Sequence, residues 1–125
     1  MAHYIGLDIG SGSARACLID EKGDILSVAV KDIKTWHEKA DYYVFMPLVS
    51  RANYQEQSTE DIWSACCHVT KKVIEDAGVD PKSVKGIGFD ATCSLAVLDG
   101  NEKPVSVSGP DFQDPNRNII LWSDV

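Results

Sequence analysis

The sequence predicts an α/β fold in which three short antiparallel strands are followed by one long helix and then by further strands. Alternating apolar residues predict the strands between residues 5 and 30, where glycine-containing turns separate them. Apolar residues at helical spacing predict the helix over residues 58–77. The length of 125 residues fits one domain, and an apolar fraction of 44% is sufficient for a packed core.

The first three strands are predicted at residues 5–9, 14–19 and 25–30. In the first strand, apolar residues occupy every second position. The second strand ends in a turn over residues 20–23, whose last residue is glycine. Because these connections are short, we expect the three strands to pair as an antiparallel meander.

The helix predicted over residues 58–77 has clear signals at both ends. Ser58 is a candidate N-cap, Asp61 lies at the third helical position, and Gly78 is a stop signal. The apolar stripe consists of Ile62, Cys66, Val69, Val73 and Ala77, with Trp63 and Ile74 beside it. This stripe is expected to pack on the sheet.

The segments on either side of the helix are less regular. Strands are predicted at residues 84–89 and 94–98, the first of them buried, and a last buried strand at residues 119–122. Residues 106–117 contain several Gly, Pro, Asp and Asn residues and are expected to form a loop. Residues 35–57 fit neither period, so we expect a long loop or an insertion there.

Composition excludes several classes of function. Lys and Arg number 12 and Asp and Glu number 19, which gives a formal charge of −7 and disfavours binding to nucleic acid or anionic membranes. No apolar run approaches the roughly 18 residues of a membrane span, and residues 1–6 lack a signal-peptide pattern, so we expect a cytoplasmic protein. The four Cys and three His residues show no zinc-ligand spacing, which favours reduced thiols.

The densest chemical signal is the segment Asp8-Ile9-Gly10-Ser11-Gly12-Ser13-Ala14-Arg15, between the first two strands. Its glycines let a phosphate approach the backbone, and its serine hydroxyls can donate to phosphate oxygens. Arg15 can neutralise a phosphoryl group, and Asp8 can hold Mg²⁺ directly or through water. The alternative is an ordinary Gly-Ser hairpin in which Asp8 caps its own turn.

Two further segments place polar residues after predicted strands. Residues 86–94 run into Asp90, Thr92 and Cys93, and residues just beyond the carboxyl end of a strand commonly line a ligand crevice. The alternative there is a tight turn between two strands. Residues 121–124 end in an acid, a pattern that also fits an exposed chain end.

Together these segments resemble the N-terminal region of the FGGY-family carbohydrate kinases, over residues 4–34 and 55–124. Residues 4–15 resemble the first phosphate motif of the family in order and spacing. Residues 86–94, which end in Asp-Ala-Thr-Cys-Ser, resemble the ribulokinase-type branch, and residues 121–124 resemble the sugar-pocket segment.

The resemblance implies an actin/hexokinase-like (ribonuclease H-like) ATPase fold, with residues 1–125 forming an incomplete part of the N-terminal lobe and its mixed sheet. It implies phosphorylation of a sugar hydroxyl by ATP and Mg²⁺, with a ketopentose such as D-ribulose as the first candidate. Asp8 would serve the metal. The residues that would face the ATP phosphates are Gly10, Ser11, Gly12, Ser13 and Arg15, and those near the sugar are Thr92, Cys93, Trp122 and Asp124.

The family's catalytic base and adenosine pocket lie downstream of residue 125, so we expect this chain alone to be inactive and the longer protein to be the enzyme. The alternative is a half-lobe without catalytic function that binds a partner. A general ATPase of the actin or chaperone kind is disfavoured by residues 90–94. The expected partner is a small-molecule sugar, and the exposed sheet of a half-lobe also favours a homo-oligomer.

Overall fold

A computed structural model describes residues 1–39, 53–107 and 113–123. The strands are β1 (His3–Ile9), β2 (Ser13–Asp20), β3 (Ile25–Asp32), β4 (Trp36–Lys39), β5 (Asn53–Gln57), β6 (Val84–Ala91), β7 (Leu95–Ala96) and β8 (Ile119–Ile120). The helix α1 spans Thr59–Ala77, and a 3₁₀ turn spans Pro81–Ser83. The chain divides into a first unit, residues 1–33 and 62–92, and a second unit, residues 34–61 and 93–125.

The first unit contains a mixed four-stranded sheet in the order β3-β2-β1-β6. β1 pairs antiparallel with β2, and β2 pairs antiparallel with β3, which confirms the predicted meander. β6 returns after the helix and pairs parallel with β1. The predicted α/β fold class is therefore confirmed, and the parallel pair brings the carboxyl ends of β1 and β6 to the same edge of the sheet.

The core of the first unit lies between the sheet and α1. One buried cluster joins sheet residues to two helical valines; its members are Ile5, Ala16, Leu18, Ala29, Val69 and Val73. Trp63 differs from the expectation, because its side chain is 69% exposed. It lies about 100° around the helix from Ile62, outside the stripe that contacts the sheet.

Both predicted ends of α1 are confirmed. Ser58 Oγ accepts a hydrogen bond from the backbone N–H of Asp61 at 3.3 Å, as an N-cap does. Gly78 follows the last helical residue with φ of 65°, and its N–H donates to the carbonyl of Glu75 at 3.0 Å. Glycine adopts this left-handed conformation without strain, so the helix ends there.

The strand predicted as buried at residues 84–89 is β6, and the prediction of burial is wrong. β6 is the edge strand of its sheet, and Phe89 is 78% exposed and Ile87 54% exposed. The buried cluster under α1 draws its sheet residues from β1, β2 and β3. The apolar run therefore predicts the strand correctly, but it does not predict whether another element packs on that strand.

The second unit contains an antiparallel sheet in the order β4-β5-β8-β7. Residues 36–39 and 53–57 form paired strands, where the sequence predicts a long loop. The middle of that segment lies outside the described residues, and an insertion there stays a prediction. The strands predicted at 94–98 and 119–122 are shorter than expected, since β7 and β8 have two residues each.

Within the described ranges, no helix combines the length and the apolar character needed to cross a membrane.

Candidate functional site

The predicted metal ligand and the predicted phosphate-binding arginine form an ion pair in the first unit. Asp8 and Arg15 are direct cross-strand partners on β1 and β2, and Arg15 Nη1 donates to Asp8 Oδ2 at 2.8 Å. Both side chains are about half exposed, 54% for Asp8 and 51% for Arg15. In the part of the chain that is described, the Asp8 carboxylate bonds this guanidinium and no backbone N–H. The structure therefore does not show Asp8 capping its own turn.

The turn between β1 and β2 is held by two backbone hydrogen bonds. The N–H of Gly10 donates to the carbonyl of Ser13 at 2.9 Å, and the N–H of Ile33 donates to the carbonyl of Gly12 at 2.9 Å. Among the described residues, a Cβ at position 12 would meet no atom within 4 Å. The backbone at this exposed position is therefore open to approach from the described side of the turn.

The other predicted phosphate contacts differ in exposure. Ser11 lies half-buried in the turn, and Ser13 is buried at the start of β2. The Ser13 side chain is therefore less accessible to a phosphate than the guanidinium of Arg15, which is on the exposed face of the sheet.

The end of β6 lies beside this turn. Asp90 is the register partner of Asp8, and Ala91 that of Ile9. One residue further, the N–H of Thr92 donates to the carbonyl of Ile9 at 3.2 Å, which extends the pairing of the two strands. Asp90 therefore shares the strand-end edge with Asp8. The sequence predicts Asp90 either beside a ligand crevice or in a tight turn whose backbone it satisfies, and its carboxylate accepts the N–H of Ala91 at 2.9 Å. The register of Asp90 with Asp8 cannot be obtained from local pattern.

The residues at this edge fit the chemistry of Mg²⁺, which takes oxygen ligands and is commonly held by one or two carboxylates together with phosphate oxygens. Asp8 presents such a carboxylate at a strand end. Among the described residues, no group of three or more His, Cys, Asp or Glu side chains is placed to hold a metal ion alone. Any metal here would therefore depend on ligand phosphates for the rest of its coordination.

Two of the residues predicted near the sugar, Cys93 and Trp122, are described in the second unit. Cys93 is exposed, and the side chain of Trp122 is 60% exposed. The backbone N–H of Trp122 donates to Ser94 Oγ at 3.1 Å, so the segments that follow β6 and β8 meet. Asp124 lies outside the described residues. Thr92 belongs to the first unit.

Sequence reasoning missed Gln55, which lies on β5 in the segment expected to be a loop. Its carbonyl accepts the N–H of Leu121 at 2.9 Å, and its Oε1 accepts the hydroxyl of Ser123 at 2.5 Å. Gln55 therefore contacts the residues on both sides of Trp122. Only the pairing of β5 with β8 reveals this, since 66 positions of sequence separate Gln55 from Leu121.

Among the described residues, three groups have pKa values shifted from their ordinary values, and none belongs to the predicted site. The hydrogen bond from Lys72 to the Asp76 carboxylate raises the pKa of that lysine. Burial, with a smaller contribution from Cys67, raises the pKa of the Cys66 thiol. Backbone N–H groups of Lys103 and Asn101 donate to Asp99 in a surface turn and lower the pKa of that carboxyl.

Comparison with known proteins agrees with the family resemblance of the sequence and with the observed fold. Residues 3–124 match the N-terminal domain of the FGGY family of carbohydrate kinases. The D-ribulokinase of Saccharomyces cerevisiae is 46% identical over 121 residues, which cover 97% of this chain and 15% of the yeast protein. The human FGGY carbohydrate kinase domain-containing protein is 44% identical over 122 residues, 98% of this chain and 19% of the human protein. The solved gluconate kinase from Lactobacillus acidophilus matches 98% of this chain and 20% of its own, with a TM-score of 0.71 at 18% identity.

The structural likeness confirms the expected α/β fold with its mixed sheet, as in part of the N-terminal lobe of the actin/hexokinase-like fold. The chain spans 15% and 19% of the lengths of the yeast and human relatives. Because the family match extends over residues 3–124, the chain belongs to the FGGY family of carbohydrate kinases, of which it represents the N-terminal domain.

Proposed function

We propose that this chain is the N-terminal part of a kinase that transfers the γ-phosphoryl group of ATP to a hydroxyl of a ketopentose such as D-ribulose. The observation that carries the proposal is the likeness to the yeast D-ribulokinase over 97% of the chain. We further propose that the longer protein acts in the cytoplasm and that its catalytic base lies beyond residue 125. The 125 residues alone are then inactive.

The phosphate side of this kinase would be the Asp8–Arg15 edge. A bound Mg²⁺ would supply charge neutralisation at the phosphate oxygens. Exposed ion pairs contribute only about 0.2–1 kcal/mol, so Arg15 can leave Asp8 for a phosphate at little cost. Asp8 is then available to the metal, either directly or through water. The exposed backbone at Gly12 leaves room for the phosphates to approach.

The sugar side would be formed by Thr92, Cys93, Trp122 and Asp124. The exposed indole of Trp122 offers an apolar face for the C–H groups of a sugar, and Asp124 offers an acceptor for its hydroxyls. Cys93 contributes little bulk, which lets the sugar approach the backbone. Gln55 on β5 accepts the hydroxyl of Ser123, the residue after Trp122, which supports the proposal that an insertion within residues 35–57 lies beside the sugar.

A second candidate function is that of a module without catalysis that binds a partner or a second copy of itself. Exposed apolar side chains favour it, since Val28, Val30, Ile87 and Phe89 are each more than half exposed. Large exposed apolar surfaces commonly mark interaction sites.

One experiment separates the two candidates. The longer protein, produced from the gene beyond the codon for Val125, is incubated with Mg-ATP and with D-ribulose, L-ribulose or D-xylulose in turn. We expect ADP release that depends on D-ribulose, together with a phosphorylated pentose identified by mass spectrometry. The 125-residue chain is the control and should give the blank rate. Absence of sugar-dependent ADP release from the longer protein would favour the binding module.

A further inference from the structure

We infer that Asn118 is a positioning residue that holds the Trp122 segment in place on the sugar side of the proposed kinase. The inference rests on the proposed function for its catalytic consequence. Asn118 lies directly before β8, four residues ahead of Trp122. No motif in the sequence singles it out, and its role follows from its contacts.

The side chain of Asn118 is completely buried, with 0% exposure, and connects two other segments. Its Oδ1 accepts the backbone N–H of Thr59 at 3.0 Å, and its Nδ2 donates to Thr59 Oγ1 at 3.1 Å. Nδ2 also donates to the carbonyl of Val97 at 3.2 Å. Thr59 is the first residue of α1, and Val97 directly follows β7. One amide therefore ties the residue before β8 to the start of the helix and to the neighbouring strand.

The backbone of Asn118 continues the same connection. The N–H of Val97 donates to the carbonyl of Asn118 at 2.9 Å, next to the paired residues Ala96 and Ile119. Beyond β8, the N–H of Leu121 donates to Gln55 and the N–H of Trp122 donates to Ser94. The position of Trp122 therefore depends on the register of β8 against β5 and β7.

β8 is too short to fix that register by its own pairing. It has two residues, so it forms few ladder hydrogen bonds. A shift of one residue would turn every side chain of a strand to the opposite face, and Trp122 would move with it. A buried amide whose donors and acceptor are all used disfavours such a shift, because the shift would leave polar groups unpaired.

The adjacent Arg117 also ties this segment to β5, since its Nε donates to Glu56 Oε2 at 2.6 Å in a buried ion pair. Removing one partner of a buried ion pair leaves an uncompensated charge and destabilises the whole fold. Asn118 is neutral, so its substitution gives a cleaner test of positioning.

The structural part of the test uses the 125-residue chain. Asn118→Ala is compared with Asn116→Ala, which removes an exposed amide two positions away. In Asn118→Ala we expect hydrogen exchange of the Leu121 and Trp122 amides to accelerate by about tenfold or more, with the amides of β1 and β2 unchanged. Asn116→Ala should leave both sets unchanged. Equal acceleration throughout β1 and β2 would overturn the inference, since Asn118 would then only stabilise the fold.

Thr59→Ala serves if Asn118→Ala fails to fold. It removes two of the hydrogen bonds to Asn118 and keeps the bond from the Thr59 backbone. We expect the same amides to accelerate by a smaller factor. No change at Leu121 and Trp122 in this variant would contradict the positioning role.

The functional part uses the longer protein. We expect Asn118→Ala to raise KM for the pentose by about tenfold while KM for ATP stays unchanged, because a lost buried hydrogen bond corresponds to that factor. Local acceleration of exchange with an unchanged KM for the pentose would overturn the link to the sugar. An unsubstituted longer protein that phosphorylates no sugar would overturn the proposed function and this link with it, whereas the exchange data would still decide the placement of Trp122.

Discussion

Asp8 and Arg15 face each other across β1 and β2, with Arg15 Nη1 and Asp8 Oδ2 2.8 Å apart. Directly opposed residues of an antiparallel pair project from the same face of the sheet. The structure therefore places the predicted metal ligand beside the predicted phosphate contact. Because both side chains are half exposed, their pairing is weak enough to be replaced by ligands of opposite charge.

Replacing Arg15 should weaken the binding of ATP rather than the fold. We expect Arg15→Gln in the longer protein to raise KM for ATP by about tenfold, since a charge-assisted contact to phosphate is lost. The Tm should change little, because the ion pair is exposed. Lys72→Gln is the matched control, since it removes a lysine from an exposed pair with Asp76 on α1. An unchanged KM for ATP in Arg15→Gln would contradict a phosphate contact.

The core under α1 should depend strongly on Leu18. Its side chain is fully buried between the sheet and the helix, whereas Leu26 on β3 is 42% exposed. We expect Leu18→Ala to lower the free energy of unfolding by about 2–5 kcal/mol, and Leu26→Ala by less than about 1 kcal/mol. Urea unfolding followed by circular dichroism measures both values. Equal losses of unfolding free energy in the two variants would show that Leu18 is no more important to the core than the exposed Leu26.

The thiols should differ in reactivity. Burial raises the pKa of Cys66 and shields it, whereas Cys93 is exposed. Because the thiolate is the reactive form, iodoacetamide at pH 8 should modify Cys93 first and Cys66 only slowly. Raising the pH towards the elevated pKa of Cys66 should increase its rate while the fold is retained. Peptide mass spectrometry measures both rates, and equal rates at pH 8 would show that Cys66 is accessible.

The sequence predicts the helix almost to the residue because its signals are local. The predicted range is 58–77, and Thr59–Ala77 are helical. Ser58 bonds the first turn, and Gly78 takes the conformation that ends it. Both signals are residues next to the helix ends, and neither depends on tertiary contacts.

Two wrong predictions concern the burial of β6 and the loop expected where β4 pairs with β5. The apolar sequence of β6 predicts burial, but a strand at a sheet edge is buried only if another element covers it. The buried sheet residues under α1 come from β1 to β3, and β6 contributes the partly buried Val84. β4 and β5 lack an alternating pattern, and their pairing is a non-local contact. The candidate site follows the same division: motifs predict its residues, which stay a prediction, whereas the Asp8–Arg15 contact and the hydrogen bonds of Gln55 and Asn118 depend on the register of the strands.

Position 93 should be sensitive to size rather than to the thiol. Cys93 is exposed beside Ser94, whose hydroxyl accepts the N–H of Trp122. In the longer protein, Cys93→Ala should keep most of the activity, whereas Cys93→Phe should raise KM for the pentose sharply, because a bulky side chain would occupy the space proposed for the sugar. Steady-state kinetics with varied pentose gives both values. Severe and equal losses in the two variants would indicate chemistry by the thiol.

The central claim is that Asp8 serves the metal of a phosphoryl transfer to a ketopentose, and turnover of the longer protein with D-ribulose and saturating Mg-ATP tests it most directly. Asp8→Asn keeps the shape of the side chain and removes its charge, and Asp76→Asn on α1 is the matched control. We expect kcat to fall by a factor of about 100 or more in Asp8→Asn, which corresponds to about 2.7 kcal/mol, with little change in Tm and none in the control. Near-normal turnover in Asp8→Asn would contradict the metal role and, with it, the proposed kinase site.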